Sequence, residues 1–250
     1  MGRLTLLLLV FVLGAGLLQA DQAPIEAKGL LRPVREVRLA SRSQGVIRSV
    51  VEEGTKVDEG ATVVQLEDAR ERIEVEKQKR VLEMREFEGR AGRTLDTSGA
   101  ISRMEGMEKA INHEVAKLLL AEANEFLERR RVVAPFAGVV TERMRGVGEA
   151  VDEFVPVLTM VDLSRLYFET YLPAARVRDV VEGQPAEVRI ETFPERVFPG
   201  TVKLISPVVS PASSEFRVRI EVDNSDGQLR SGLPGMCRIL PPTMAEAAED

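Results

Sequence analysis

The residue types that carry enzyme chemistry are scarce in this chain and poorly placed. His113 is the only histidine. A zinc-protease helix needs a second histidine four positions after the first, and His113-Glu114 is followed at that position by Lys117. A Ser/His/Asp arrangement would have to use the same His113, which lies in a charged, proline-free stretch where no pocket is expected. Cys237 is the only cysteine, so it forms no internal disulfide, and its place in an apolar stretch reads as a small core residue. Met104 and Met107 stand three apart, a spacing open to soft-metal binding but equally to helix packing. No residue is assigned to catalysis, to a metal or to a cofactor.

The positioning elements announce themselves as a repeat. Gly54-Thr-Lys-Val57-Asp58-Glu59, continuing through Val63-Val64 to Asp68, returns 94 residues later as Gly148-Glu-Ala-Val151-Asp152-Glu153, continuing through Val157-Leu158 to Asp162. Upstream, Gly45-Val46-Ile47 pairs with Gly138-Val139-Val140 at 93 residues, a one-residue difference of the kind a β-bulge allows. That spacing is too long for a solenoid and describes one small β domain built from two halves, 34–68 and 131–162, with Gly45 and Gly138 at equivalent turns.

The insert between the halves, 69–130, lacks proline and is crowded with Glu, Lys and Arg. Acid-first pairs at i, i+4 (Glu76/Arg80, Glu86/Arg90, Glu105/Lys109, Glu125/Arg129) predict exposed helix. The run breaks at Asp96-Thr97-Ser98-Gly99-Ala100, and Ser102 with Glu105 forms a capping box that restarts it. The expectation is an antiparallel coiled-coil hairpin projecting roughly 40 Å. Its narrow apolar stripes, Val81, Met84, Phe87, Ala91 and Leu95, then Met104, Met107, Ile111, Val115 and Leu118, are expected to face the partner helix.

After Asp162 the period becomes two. Glu187-Val-Arg-Ile-Glu191 and Phe216-Arg-Val-Arg-Ile-Glu-Val222 alternate, with turn signals at Phe193-Pro194-Glu195, Pro207, Pro211 and Asp223-Asn-Ser-Asp-Gly227. A small antiparallel β-barrel is expected over 163–240, with 241–250 a disordered tail and 21–33 an extended lead-in. Residues 1–20 read as a signal peptide: Arg3, an uncharged run from Leu4 to Leu18, then Gln19-Ala20-Asp21, with cleavage after Ala20 and export from the cytoplasm. The net charge of −6 and pI near 5.2 give no electrostatic basis for nucleic-acid binding.

The order of these segments carries a resemblance. A split β domain around a helical hairpin, then a barrel containing Gly200-Thr-Val-Lys-Leu-Ile205-Ser-Pro207, Asn224-Ser-Asp226-Gly227 and Leu233-Pro-Gly235-Met236, resembles the periplasmic adaptor, or membrane fusion protein, family. Ala134-Pro-Phe136-Ala-Gly138 and Val161-Asp162-Leu-Ser164 are similar to its second lipoyl half and the exit from it. The resemblance implies a mainly β fold with a split lipoyl-like (barrel-sandwich hybrid) domain. It also implies a non-catalytic subunit that assembles into a ring, often a hexamer, and bridges an inner-membrane efflux transporter of RND or ABC type to a TolC-like outer-membrane channel.

The family's docking pattern at the hairpin tip is an Arg, a Leu four residues on and a Ser seven after that. Leu95 and Ser102 keep the second spacing, whereas Ala91 stands where the arginine belongs, flanked by Arg90 and Arg93. These four, Arg90, Arg93, Leu95 and Ser102, are the expected channel-docking residues. Longer members continue into a membrane-proximal domain; here the sequence ends soon after Leu240, so the expected transporter contact rests on the barrel and lipoyl-like domain, or the partner is not a typical RND pump. Two other classes compete. An HlyD-like secretion accessory would keep the N-terminal segment as an anchor, and a lipoyl or biotinyl carrier would need a modifiable lysine at the turn that the hairpin replaces.

Overall fold

The computed structural model describes residues 23–97 and 103–241, with side chains outside 91–103. In chain order its strands and helices are β1 (Ile25–Ala40), β2 (Gly45–Val50), β3 (Lys56–Val57), β4 (Thr62–Leu66), α1 (Ala69–Thr97), α2 (Arg103–Glu128), β5 (Arg131–Val133) and β6 (Gly138–Arg143). Then come β7 (Ala150–Val151), β8 (Pro156–Pro173), a 3₁₀ turn at Ala174–Arg176, β9 (Pro185–Ile190), β10 (Val197–Ser210), β11 (Glu215–Asp223) and β12 (Pro234–Ile239).

The period-two sequences become the wall of a closed antiparallel barrel in the strand order β1, β12, β9, β10, β11, β8 and back to β1. Closure removes the sheet edges that would otherwise template aggregation. Alternation sends Phe216, Val218, Ile220 and Val222 of β11 inward to meet Leu166, Phe168 and Leu172 of β8, all at most 1% exposed. The lead-in 21–33 differs from expectation. From Ile25 onward it is a barrel strand, paired on one side with β12 (Ile25↔Ile239 to Leu30↔Pro234) and on the other with β8. Ile25-Glu-Ala-Lys28 alternates, but Gly29-Leu30-Leu31 interrupts the period, and its place in the barrel is set by its partners.

The repeat folds as a pseudo-twofold pair whose backbone bonds are exchanged. The Gly54 amide donates to the Val140 carbonyl and the Gly148 amide to the Ile47 carbonyl, each at 2.8 Å. The Gly60 amide donates to Ala134, and the Phe154 amide to Ser41, again at 2.8 Å. Between the halves sit Ile47, Val64, Leu66, Val140, Val157 and Met160, all nearly fully buried.

Two expectations about this domain need correction. Gly45 and Gly138 open strands rather than turns, and Gly138 is required because a Cβ would come within 2.4 Å of the Val161 carbonyl oxygen. The left-handed turns belong to Gly54, Gly60 and Gly148 (φ 82°, 79° and 85°) and to Phe154 (φ 63°). Both halves also contain a bulge, at Ile47/Ser49 and Val140/Glu142. The extra residue of the second half lies further on, where the Met144 and Arg145 amides converge on the Val157 carbonyl; in the first half Val51 alone meets Val63.

Candidate functional site

Each half of the β domain hands the chain on through a buried aspartate. Asp68, 3% exposed, precedes α1 and accepts from the Arg72 side chain at 2.8 Å, with Arg48 3.6 Å from its other oxygen. The Arg72 hydrogen bond outweighs the cost of burial and, with the Arg72 and Arg48 charges, holds this carboxyl below the ordinary aspartate range. Asp162, 5% exposed, lies where β8 leaves the lipoyl-like domain for the barrel. Burial pushes its carboxyl up, but hydrogen bonds from Ser164 (2.6 Å) and Arg35 (2.8 Å) prevail and the net shift is downward. Arg35 also stacks over Phe136 at 4.5 Å, which fixes the guanidinium against the junction.

The hairpin these junctions carry is packed opposite to expectation. The face of α2 turned toward α1 is Gly106, Lys109, Asn112, His113, Ala116, Leu120, Ala123 and Leu127, the buried and half-buried positions. The matching face of α1 carries Glu71, Gln78, Arg85 and Glu86, with Val75, Val81 and Leu82 between them. His113 reaches to within 3.8 Å of Glu86 across this seam. The stripe expected to line the seam points outward instead: Met104 is 82% exposed, Met107 66%, Ile111 53%, Val115 48% and Leu118 62%. On α1, Met84 and Phe87 are likewise exposed and only Val81 of that described stripe is half-buried. With the seam formed by the other face, α2 presents an apolar ridge about 21 Å long to whatever lies beside it.

At the foot of the hairpin a groove of about 620 Å³ lies between α1, α2 and the turns at 42–44 and 153. Arg42, Arg70, Arg129 and Arg130 line it beside the half-exposed ring of Phe126. Arg130 is anchored by Glu71 (2.6 Å) and the Gln44 carbonyl (2.6 Å).

Of the expected docking residues, Arg90 is exposed near the end of α1, 3.4 Å from Glu86. Arg93 and Leu95 continue that helix at positions whose side chains lie outside the described set, and Ser102 lies outside the described residues. Cys237 is fully buried, and burial pushes its thiol up to about 11, which makes it a core residue rather than a nucleophile. Among the described residues no group of His, Cys, Asp and Glu could hold a metal ion. None of their helices is long and apolar enough to cross a membrane.

A CusB-like β-barrel domain is recognised over residues 166–241. The chain is 28% identical over 221 residues to nodulation protein NolF of Rhizobium meliloti, spanning 82% of this chain and 60% of that protein. It is 29% identical over 107 residues to the cation efflux system protein CzcB of Alcaligenes sp., 43% of this chain and 20% of that one. The fold matches a MacA–MexA chimera carrying the Pseudomonas aeruginosa MexA α-hairpin with TM-score 0.78 and 17% identity, over 88% of this chain and 79% of the chimera. A split β domain around a helical hairpin, followed by a barrel, is the fold this chain shares with the chimera and with the membrane fusion protein Spr0693 of Streptococcus pneumoniae R6, the latter with TM-score 0.72 and 16% identity over 88% of this chain and all of that one. The chain spans about six tenths or less of the length of the relatives NolF and CzcB.

Proposed function

We propose that this chain is the periplasmic adaptor of a tripartite efflux system, exported by its N-terminal segment. Several copies form a ring, six by the family pattern, that bridges an inner-membrane transporter of RND or ABC type to a TolC-like outer-membrane channel. The observation that carries this reading is the hairpin turned inside out. A stalk with a mixed, narrow seam and an outward apolar ridge is poorly suited to standing alone in water, and it is well suited to lateral packing in an assembly. The β modules supply a rigid base, and none of the described cavities has the apolar, enclosed character of a ligand site.

The tip, with Arg90, Arg93, Leu95 and Ser102, is assigned to the channel. Deleting the gene while leaving the transporter in place is expected to abolish efflux, and the full-length chain to restore it. An Arg90→Glu/Arg93→Glu variant at the same protein level is expected to fail. Full efflux with that variant would show that the tip docks by other residues, and efflux that survives the deletion would remove the adaptor role altogether.

A further inference from the structure

One turn of the barrel differs in chemistry from the others. Those at 177–184, 191–196 and 223–227 carry Arg178, Asp179, Glu191, Glu195, Asp223 and Asp226. Where β10 turns into β11, the eleven residues from Leu204 to Ser214 carry no charge, in a chain that is 30% charged. The ladder makes this stretch stand out: β10 bulges between Ile205 and Val209, which places Ser206-Pro207-Val208 opposite Arg217. Val208 is 68% exposed, and Val209, Tyr171 and Val177 are exposed near it. The polar atoms of the tip are turned on one another. The Ser206 hydroxyl donates to the Val208 carbonyl at 3.0 Å and accepts from the Val208 amide at 3.2 Å, and the Ser214 amide donates to the Ser210 carbonyl at 2.8 Å. Pro207 and Pro211 have no N–H to satisfy. A turn that covers its own backbone groups and shows aliphatic side chains suits a medium poor in hydrogen-bond partners.

Going beyond the adaptor reading, we propose that this tip is a membrane-contacting wedge: Val208 and Val209 enter the interfacial layer of a lipid bilayer, with Tyr171 at the level of the headgroups. The placement of the tip agrees. β8 leaves the lipoyl-like domain and ends at Pro173, whose partner Glu215 stands at the base of the tip, so the tip occupies the end of the barrel away from that domain and from the hairpin. β1 runs antiparallel to β8, with Gly29 opposite Thr170, so its first residue, Ile25, lies toward the same end. The chain enters the barrel there after the uncharged run Leu4 to Leu18, the segment that meets the membrane in export. The charges behind the tip balance, Arg176, Arg178 and Arg217 against Asp179, Glu169 and Glu215, with Arg176 paired to Asp179 at 3.1 Å and Arg217 to Glu169 at 3.8 Å. The contact therefore rests on apolar burial rather than on attraction to anionic lipid. Two valines and a tyrosine hold one copy weakly and reversibly, and copies acting together hold more firmly.

Because Cys237 is buried with a raised thiol pKa, an introduced cysteine takes a label selectively. Full-length Ala212→Cys and Thr55→Cys chains, the first labelled at the tip and the second on the lipoyl-like domain, each carry a polarity-sensitive fluorophore. With protein-free phosphatidylethanolamine/phosphatidylglycerol vesicles, emission from position 212 is expected to shift to the blue, to be quenched by spin-labelled lipid and to persist at high salt, while emission from position 55 stays unchanged. Val208→Asp/Val209→Asp in the Ala212→Cys chain is expected to weaken that response on the order of tenfold at an unchanged melting temperature, since both side chains are exposed. No shift at 212, equal shifts at 212 and 55, or a full response from the double variant would each overturn the inference. A shift that requires the transporter in the vesicle would assign the tip to a protein and overturn it as well. None of these outcomes bears on efflux, so the adaptor reading stands or falls separately, on the gene deletion.

Discussion

The barrel and the hairpin place their large apolar residues in opposite ways. Along β11, Phe216, Val218, Ile220 and Val222 are at most 1% exposed, each covered by the facing wall. Along α2, Met104, Met107, Ile111, Val115 and Leu118 are 48–82% exposed, while the seam against α1 mixes Gly106, Ala116, Ala123, Leu120 and Leu127 with Lys109, Asn112 and His113. A closed barrel buries its inner face within one chain, whereas a two-helix hairpin has too little surface to bury more than one stripe per helix. One module therefore covers its apolar residues within a single copy, and the other leaves an apolar face uncovered.

The largest test of that contrast is truncation on each side of it. Phe168→Ala in the barrel, fully buried, is expected to cost about 3–5 kcal/mol in denaturant unfolding. Phe87→Ala on the hairpin, 71% exposed, is expected to cost under about 0.5 kcal/mol. Equal losses would show that the hairpin packs its apolar face internally.

Next in size are the aspartates that join the modules. Asp162→Asn keeps the shape but removes the charge that accepts from Arg35 and Ser164, and an expected loss of about 1–3 kcal/mol follows. Asp68 and Asp162 both hold their protons less tightly folded than unfolded. Between the two pKa values the unfolded chain binds the extra protons, so their stabilisation is present above about pH 4 and is lost as acid titrates the folded carboxyls. Melting temperature against pH is expected to fall steeply below that point in the wild type and less steeply in the Asp68→Asn/Asp162→Asn chain. Parallel curves would remove the junction role.

A smaller effect compares the two halves directly. Gly60→Phe imposes on the first half the conformation that Phe154 carries in the second, and should lower stability by about 1–2 kcal/mol. An unchanged melting temperature would mean that the turn tolerates a Cβ and that Phe154 is not strained. The smallest expected change in folding is Ile111→Ser on the α2 ridge, within about 0.5 kcal/mol. Its measurable effect should instead be weaker self-association, seen by sedimentation, and undiminished association would show that the ridge faces some other partner.

Much of this was legible beforehand. The 94-residue offset marks the two halves and aligns Phe154 with Gly60, but spacing alone does not show that this position takes a left-handed backbone. The acid-first pairs and the break after Asp96 mark two helices, and period two marks β9 and β11. The apolar stripe of α2 is legible as a stripe, but its direction is not. Spacing shows that Met104, Ile111 and Leu118 share a face, but not whether that face meets α1 or solvent.

What the sequence by itself determined is local: which residues share a face, where chains turn, and that two segments are copies. These follow from fixed helical and strand periods and from the φ preferences of glycine and proline. What only the tertiary structure decided is who meets whom. It pairs Arg35 of β1 with Asp162 across 127 residues, turns residues 25–33 into a barrel strand by seating them between β12 and β8, and turns the Met104 to Leu118 stripe of α2 away from α1. Those outcomes depend on the fit between elements distant in the chain, which the period within any one of them cannot encode.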